Sequence, residues 1–119
     1  MKWQVDTTEV FANWFEDQEQ HVKEKVVAAV QILAEHGPAL GRPLVDTLKR
    51  SVFANMKELR PRGGNIRIRF AFDPRRDAIL LIGGDKSNRW HEWYDENIPV
   101  ADELFRAHLK ELKKKGSPP

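Results

Sequence analysis

The chain has 119 residues, with 20 Lys and Arg against 18 Asp and Glu, and it contains no cysteine. This length fits a single domain, and a hydrophobic fraction of 40% excludes a wholly disordered chain. The lack of cysteine excludes disulfides, thiolate nucleophiles and Cys-ligated zinc, and no apolar run reaches the length of a signal peptide or membrane span. We therefore expect a cytoplasmic protein.

The first part of the sequence predicts a short strand and two helices. Apolar alternation over residues 3–5 is typical of a strand, and Asp6 followed by Glu9 forms a capping pattern for a helix. Apolar residues then recur at helical spacing on both sides of a polar break at residues 17–19, until the Gly-Pro pair at 37–38. The pattern predicts two adjacent helices in a hairpin.

The middle of the sequence predicts three consecutive strands. Residues 37–46 are rich in Gly and Pro and indicate an irregular connector. Residues 54–60 alternate modestly, and after a Gly-rich turn residues 66–73 alternate clearly between apolar side chains and arginines or alanine. Residues 78–82 are continuously apolar, as expected of a strand buried on both faces. We expect these strands to form a meander.

A last helix is predicted from Pro99, with an apolar face and lysines near its end. The expected fold class is a single α+β domain at residues 1–115, followed by a disordered tail at residues 116–119. Its predicted order is β-α-α-β-β-β-α, with a small, mostly antiparallel sheet, a helical hairpin packed on one face and a C-terminal helix. We expect the helices to cover one face of the sheet.

The small net charge of +2 hides an asymmetry along the chain. Residues 42–76 hold ten basic side chains and three acidic ones, a local charge of +7, so the remainder carries −5. A basic segment in an otherwise acidic protein is typical of a polyanion partner, because phosphate binding draws on Lys and Arg. The alternative is an ordinary solvated face of charges.

The cations on the predicted strands are the first candidate site. Arg60 and Arg67 flank one turn, so their guanidiniums could converge on a phosphate. Arg69 follows on the same strand face and Lys57 lies on the neighbouring strand, and we predict that both bind RNA. The alternative is that these side chains only keep a half-exposed sheet soluble.

Residues 85–94 are the second candidate site, because cations and aromatic rings are mixed there directly after the apolar strand. Arg89 and Trp90 suit contacts with phosphates and unpaired bases of RNA, while His91 and Tyr94 are candidate proton-transfer groups. The alternative for the tryptophans is packing beneath the last helix. The four histidines lack ligand spacing and nucleotide-loop motifs are absent, so we expect neither a metal nor another cofactor.

Three segments together resemble a known family. Residues 57–60 (Lys-Glu-Leu-Arg), residues 66–74 after a Gly turn, and residues 79–86, ending Gly-Gly-Asp-Lys, resemble the RelE/ParE toxin superfamily, in its HigB and phage Gp49-like branch. The resemblance implies a type II toxin with the RelE-like fold that cleaves mRNA on the ribosome without a cofactor. It also implies a cognate antitoxin, expected to be a helix-turn-helix protein, and a heterotetramer with it.

The resemblance implies roles for individual residues. Arg67, Arg60 and Lys86 match the family's basic positions and would hold and stabilise the scissile phosphate during attack by the ribose 2′-hydroxyl. His91 or Tyr94 would then transfer a proton or stack on a base. The chain departs from the family pattern at Glu58, where RNase members often have lysine, at the longer turn, and at Ser87 after Lys86.

Two other functions stay open at this point. A ParE-like protein would bind DNA gyrase and perform no chemistry, and an inactive phage-derived relative would act only as a binding module. These alternatives predict different damage in cells, because the RNase cleaves transcripts whereas the gyrase inhibitor causes DNA breaks.

Overall fold

A computed structural model describes residues 2–87 and 90–116, and it describes the side chains of all of these except residues 90–95. From residue 117 on, the predicted tail lies outside the described residues. Within the described part no helix is long and apolar enough to cross a membrane. The strands and helices are, in chain order, β1 (Val5–Thr7), α1 (Glu9–Glu16), α2 (Gln20–His36), β2 (Val45–Thr47), β3 (Lys57–Leu59), β4 (Ile66–Phe72), β5 (Ala78–Asp85) and α3 (Trp90–Lys114).

The strands form one mixed sheet in the order β1-β5-β4-β3-β2. β1 pairs parallel with β5, and every other pairing is antiparallel, so the sheet is mostly antiparallel as predicted. The predicted β3–β4–β5 meander is confirmed. The strand β2 was not predicted. It lies at the end of a segment rich in Gly and Pro, and its three residues are too few to show an alternating pattern. It pairs Val45 with Leu59.

Two hydrophobic cores lie on opposite faces of the sheet. The alternating side chains of β4 and β5 separate into them: Ile68, Phe70 and Leu80 pack against α1 and α2, whereas Ile79 and Leu81 pack against α3. The prediction of a β5 buried on both faces is therefore confirmed. The expectation that all helices cover one face is wrong, because the apolar second face of β5 needs its own cover and α3 supplies it.

The start of α1 differs slightly from the predicted capping pattern. Thr8, not Asp6, is the N-cap, and its Oγ1 accepts a hydrogen bond of 3.0 Å from the Phe11 backbone N–H. The same hydroxyl donates to the carbonyl oxygen of Leu81 at 2.7 Å. Asp6 is drawn into β1 by parallel pairing with Ile79. A side-chain cap thus ties the first helix directly to the central strand.

The last helix begins earlier than predicted, at Trp90, so that Pro99 lies inside it. Asp102 of this helix is buried and accepts hydrogen bonds from the Ser51 hydroxyl and, at 3.1 Å, from the Val52 backbone N–H. Six residues further along α3, His108 Nε2 lies 2.8 Å from Asp73 Oδ2 in the turn after β4. Two polar contacts therefore fix α3 across the second face of the sheet.

We expect Gly83→Ala to destabilise the fold, because a Cβ at this position would lie 2.5 Å from the Trp14 ring of α1. Overpacking of this kind costs about 1–3 kcal/mol in free energy of unfolding, measured by chemical denaturation. Gly41→Ala is the matched control, since no atom lies within 4 Å of its added Cβ and a change below about 0.5 kcal/mol is expected. Equal stabilities of the two variants would contradict this packing.

Candidate functional site

The candidate site lies where β3, β4 and β5 bring charged side chains onto the face of the sheet opposite α1 and α2. The register places Glu58 of β3 directly across from Arg69 of β4, and Arg67 across from Gly84 of β5. Because side chains alternate along a strand, Arg67 and Arg69 share one face with Glu58. That face is the one α3 covers.

Glu58 is completely buried and forms ion pairs with three arginines. Its Oε1 accepts a hydrogen bond of 2.9 Å from Arg60 Nε and lies 3.7 Å from Arg67 Nε. Its Oε2 pairs with Nη1 of Arg69, which is also completely buried. We call these four residues the Glu58 cluster. Since Arg60 and Arg67 contact the same oxygen, their guanidiniums lie side by side at the turn, as the sequence predicts.

A second carboxylate, Asp46 of β2, extends the cluster toward the edge of the sheet. Its Oδ2 lies 3.3 Å from Arg60 Nη2 and 3.2 Å from Arg42 Nη2. The hydrogen bond with Arg42 is the main cause of a lowered Asp46 pKa, and the backbone N–H of Thr47 and the charge of Arg60 act in the same direction. Arg60 is thus held between two carboxylates.

Lys86 joins this group from the end of β5. Its backbone N–H donates to the carbonyl oxygen of Asn65 at 3.0 Å, which anchors it beside the start of β4. The pKa of Lys86 is lowered, first by burial and then by the positive charges of Arg67 and Arg60. Arg67 lies across from Gly84, two residues before Lys86, so we treat Arg60, Arg67 and Lys86 as one cationic group at this end of the sheet.

Asp85 shapes the backbone around Lys86. Its Oδ1 accepts a hydrogen bond of 2.8 Å from the Ser87 backbone N–H. Hydrogen bonds with Ser87 lower the pKa of Asp85, and the charge of Arg67 lowers it further. Ser87, one of the departures from the family pattern, thus binds the carboxylate of Asp85 beside Lys86.

The structure contradicts one predicted RNA-binding residue, Arg69, and places another, Lys57, on the other face of the sheet. Arg69 is 0% exposed, because α3 covers its face of the sheet, so it has no surface to offer RNA. Lys57 shares its strand face with Leu59, which belongs to the core of α1 and α2, and its Nζ lies 3.3 Å from Thr47 Oγ1. Lys57 therefore points away from the Glu58 cluster.

Four other predicted site residues lie outside the described residues or side chains. Arg89 is one of the residues not described, and the side chains of Trp90, His91 and Tyr94 are not described either. Their roles stay predictions. Among the described residues, no group of three or more His, Asp or Glu side chains is arranged to hold a metal ion.

Sequence reasoning missed the roles of the two carboxylates. Asp46 lies in the unpredicted strand β2, and Glu58 stands out in the sequence only as a departure from the family pattern. One signal was available: Glu58 and Arg60 are two residues apart at the end of a strand, which is the spacing that places side chains on one face.

Comparison with known proteins identifies the family. Residues 13–106 match the family model described as "Phage derived protein Gp49-like (DUF891)". The chain belongs to this Gp49-like family. The match includes β2 to β5 and therefore every described residue of the candidate site.

Two curated relatives from Mycobacterium tuberculosis are named as toxin candidates. The chain is 47% identical to HigB2 over 114 residues, which cover 93% of this chain and 56% of HigB2. It is 54% identical to HigB3 over 90 residues, which cover 76% of this chain and 79% of HigB3. The Gp49-like chain thus spans little more than half the length of HigB2.

Solved structures of RelE toxins share the fold. A double mutant of the Escherichia coli toxin RelE in the free state has a TM-score of 0.61 at 14% identity, covering 81% of this chain and 94% of RelE. RelE in the RelE–RelB complex of Pyrococcus horikoshii OT3 has a TM-score of 0.59 at 13% identity, covering 74% and 99% of the two chains. The RelE-like α+β fold predicted from the sequence is confirmed.

We expect Arg67→Gln to raise the pKa of Lys86. Burial remains, but the variant removes a nearby positive charge that disfavours the ammonium form, so the lysine keeps its proton to higher pH. The Lys86 titration can be followed by NMR of its Cε or Nζ. Arg75→Gln, at the opposite end of the β4–β5 hairpin, is the control and should leave the titration unchanged. A Lys86 pKa that is unchanged or lower in Arg67→Gln would contradict the arrangement of the cationic group.

Proposed function

We propose that this Gp49-like chain is the toxin of a type II toxin–antitoxin pair, and that it cleaves mRNA in association with the ribosome in the cytoplasm. The relatives named as toxin candidates and the RelE-like fold support the toxin role. One observation carries the enzymatic part: Arg60 and Arg67 both lie against Glu58 Oε1, and the Lys86 backbone is hydrogen-bonded to Asn65 beside the start of β4, so three cations come together at one end of the sheet. Three cations in one place suit a substrate that carries concentrated negative charge.

The proposed reaction is attack of a ribose 2′-oxygen on the adjacent phosphorus. The new P–O2′ bond forms as the P–O5′ bond breaks, which leaves a 2′,3′-cyclic phosphate and a free 5′-hydroxyl. Negative charge grows on the non-bridging phosphate oxygens in the transition state, and fixed cations stabilise it there. Arg67 and Arg60 would donate hydrogen bonds to these oxygens from their planar guanidiniums, and Lys86 would act as a point charge beside them.

One proton must leave the 2′-oxygen and one must reach the 5′-oxygen. His91 and Tyr94 are the proposed groups for this transfer or for stacking on a neighbouring base, with Arg89 and Trp90 as further RNA contacts. These residues follow Lys86 within eight positions of the chain, and the helix that begins at Trp90 covers the face of the cationic group. The reaction as written requires neither a metal nor another cofactor.

The proposed partner is a cognate antitoxin, expected to be a helix-turn-helix protein that assembles with the toxin into a heterotetramer. Several structural neighbours were solved as complexes of RelE with RelB antitoxins. A partner that neutralises the toxin would either cover the cationic group of Arg60, Arg67 and Lys86 or hold the chain away from the ribosome.

We expect Arg67→Ala and Lys86→Ala each to abolish growth inhibition and transcript cleavage while the fold survives. Loss of one fixed group that stabilises transition-state charge costs about 10²–10³-fold in rate. Arg75→Ala is the matched control, because Arg75 is an exposed arginine in the turn at the other end of β4. Cleavage is measured by mapping transcript ends after induction, and folding is checked by circular dichroism.

Three results would overturn the proposed RNase. Intact transcripts in cells arrested by the wild-type chain would exclude mRNA cleavage as the cause. Accumulating DNA breaks in those cells would support gyrase as the target instead. Normal growth after induction without an antitoxin would support an inactive relative.

A further inference from the structure

The buried carboxylate of Glu58 lies beside Arg60 and Arg67, two of the residues proposed to bind phosphate. A negative charge in such a place weakens binding of an anion. We propose that Glu58 is a positioning residue, whose carboxylate fixes the guanidiniums of Arg60 and Arg67 in the orientation that the scissile phosphate requires. This inference rests on the proposed function and adds to it a residue that would not touch the RNA.

The two oxygens of Glu58 have separate partners. Oε2 pairs with Arg69, while Oε1 faces Arg60 Nε at 2.9 Å and Arg67 Nε at 3.7 Å. Each arginine has a second anchor: Arg60 Nη2 lies 3.3 Å from Asp46 Oδ2, and Arg67 Nη1 donates a hydrogen bond of 2.8 Å to the carbonyl oxygen of Ile66. A guanidinium has five N–H donors, so an arginine held at two of its nitrogens keeps a fixed position and can still donate to a phosphate.

Arg69 explains how Glu58 itself is held in place. The two residues are directly opposite each other in the antiparallel β3–β4 pair, and both side chains are 0% exposed. The register of the sheet thus fixes Arg69, Arg69 fixes Glu58, and Glu58 fixes Arg60 and Arg67. Exposure increases along this series, from 0% for Glu58 to 12% for the Arg67 side chain and 34% for that of Arg60. The two fully buried side chains thus hold the two more exposed arginines in place.

The competing explanation is that Glu58 merely neutralises Arg69, whose buried charge would otherwise destabilise the fold. The two explanations differ in what a double variant should do. If neutralisation is the whole role, removing both charges restores stability and activity together. If Glu58 positions Arg60 and Arg67, removing both charges restores stability but leaves cleavage low.

The test compares Glu58→Gln, the double variant Glu58→Gln with Arg69→Met, and the control Glu103→Gln. The control removes the same charge from an exposed ion pair with Arg106 on α3. Ribosome-dependent cleavage, affinity for a 2′-O-methyl RNA oligonucleotide that cannot be cleaved, and thermal stability are measured for each full-length chain. NMR of the arginine Nε–H groups reports whether Arg60 and Arg67 remain ordered.

We expect Glu58→Gln to lower cleavage at least tenfold while affinity for the uncleavable RNA stays equal or rises, because the site loses a negative charge. The Nε–H signals of Arg60 and Arg67 should broaden in the same variant. The double variant should regain stability without regaining cleavage, and Glu103→Gln should behave as wild type. A purely electrostatic role would instead raise affinity and cleavage together.

Recovery of cleavage in the double variant would overturn the inference, and so would unchanged arginine signals in Glu58→Gln. Failure of the proposed function gives a different result: the wild-type chain would neither cleave mRNA nor bind the uncleavable RNA. In that case the arginine signals decide the positioning role by themselves, since they report order in the free protein and require no substrate.

Discussion

The charged side chains of the sheet depend on one buried carboxylate. Burial of an ion is costly, and removal of one member of a buried ion pair typically costs 3–5 kcal/mol, so Glu58 and Arg69 stabilise the fold only as a pair. Their position in the β3–β4 register also means that a shift of one residue between these strands would place the two side chains on opposite faces of the sheet. The same interaction therefore specifies the pairing of two central strands and the place of the surface arginines.

The two-sided sheet explains why such a cluster can exist in a small protein. One face packs on α1 and α2, where its apolar side chains supply the larger core. The other face has a smaller apolar core under α3, beside which Glu58 and Arg69 are shielded from water. Contacts of α3 with Ser51 and Asp73 hold that cover at two points. One face of the sheet thus supplies the larger apolar core, while the other face holds the charged cluster.

The sequence predicts the parts of the fold that repeat with a clear period. The helical hairpin, the alternation of β4 and the buried run of β5 were all visible, and so was the turn that brings Arg60 and Arg67 together. Three-residue strands such as β2 are too short to show a clear period. Proline is favoured in the first turn of a helix and disfavoured in its interior, so Pro99 predicted a start for α3 that is later than the observed one. Arg69 was wrongly predicted to reach RNA because alternation shows which side chains share a face, but not whether that face is covered.

The parallel pairing of β1 with β5 has a consequence for the order in which the chain folds during synthesis. The hydrogen bond from Thr8 to Leu81 joins residues 73 positions apart, so the first strand and helix leave the ribosome long before their partner strand exists. Contacts between distant segments form late because closing a long loop is entropically costly. Lys86 is also made after β5. A nascent chain of this protein therefore completes its central sheet and its cationic group at nearly the same moment.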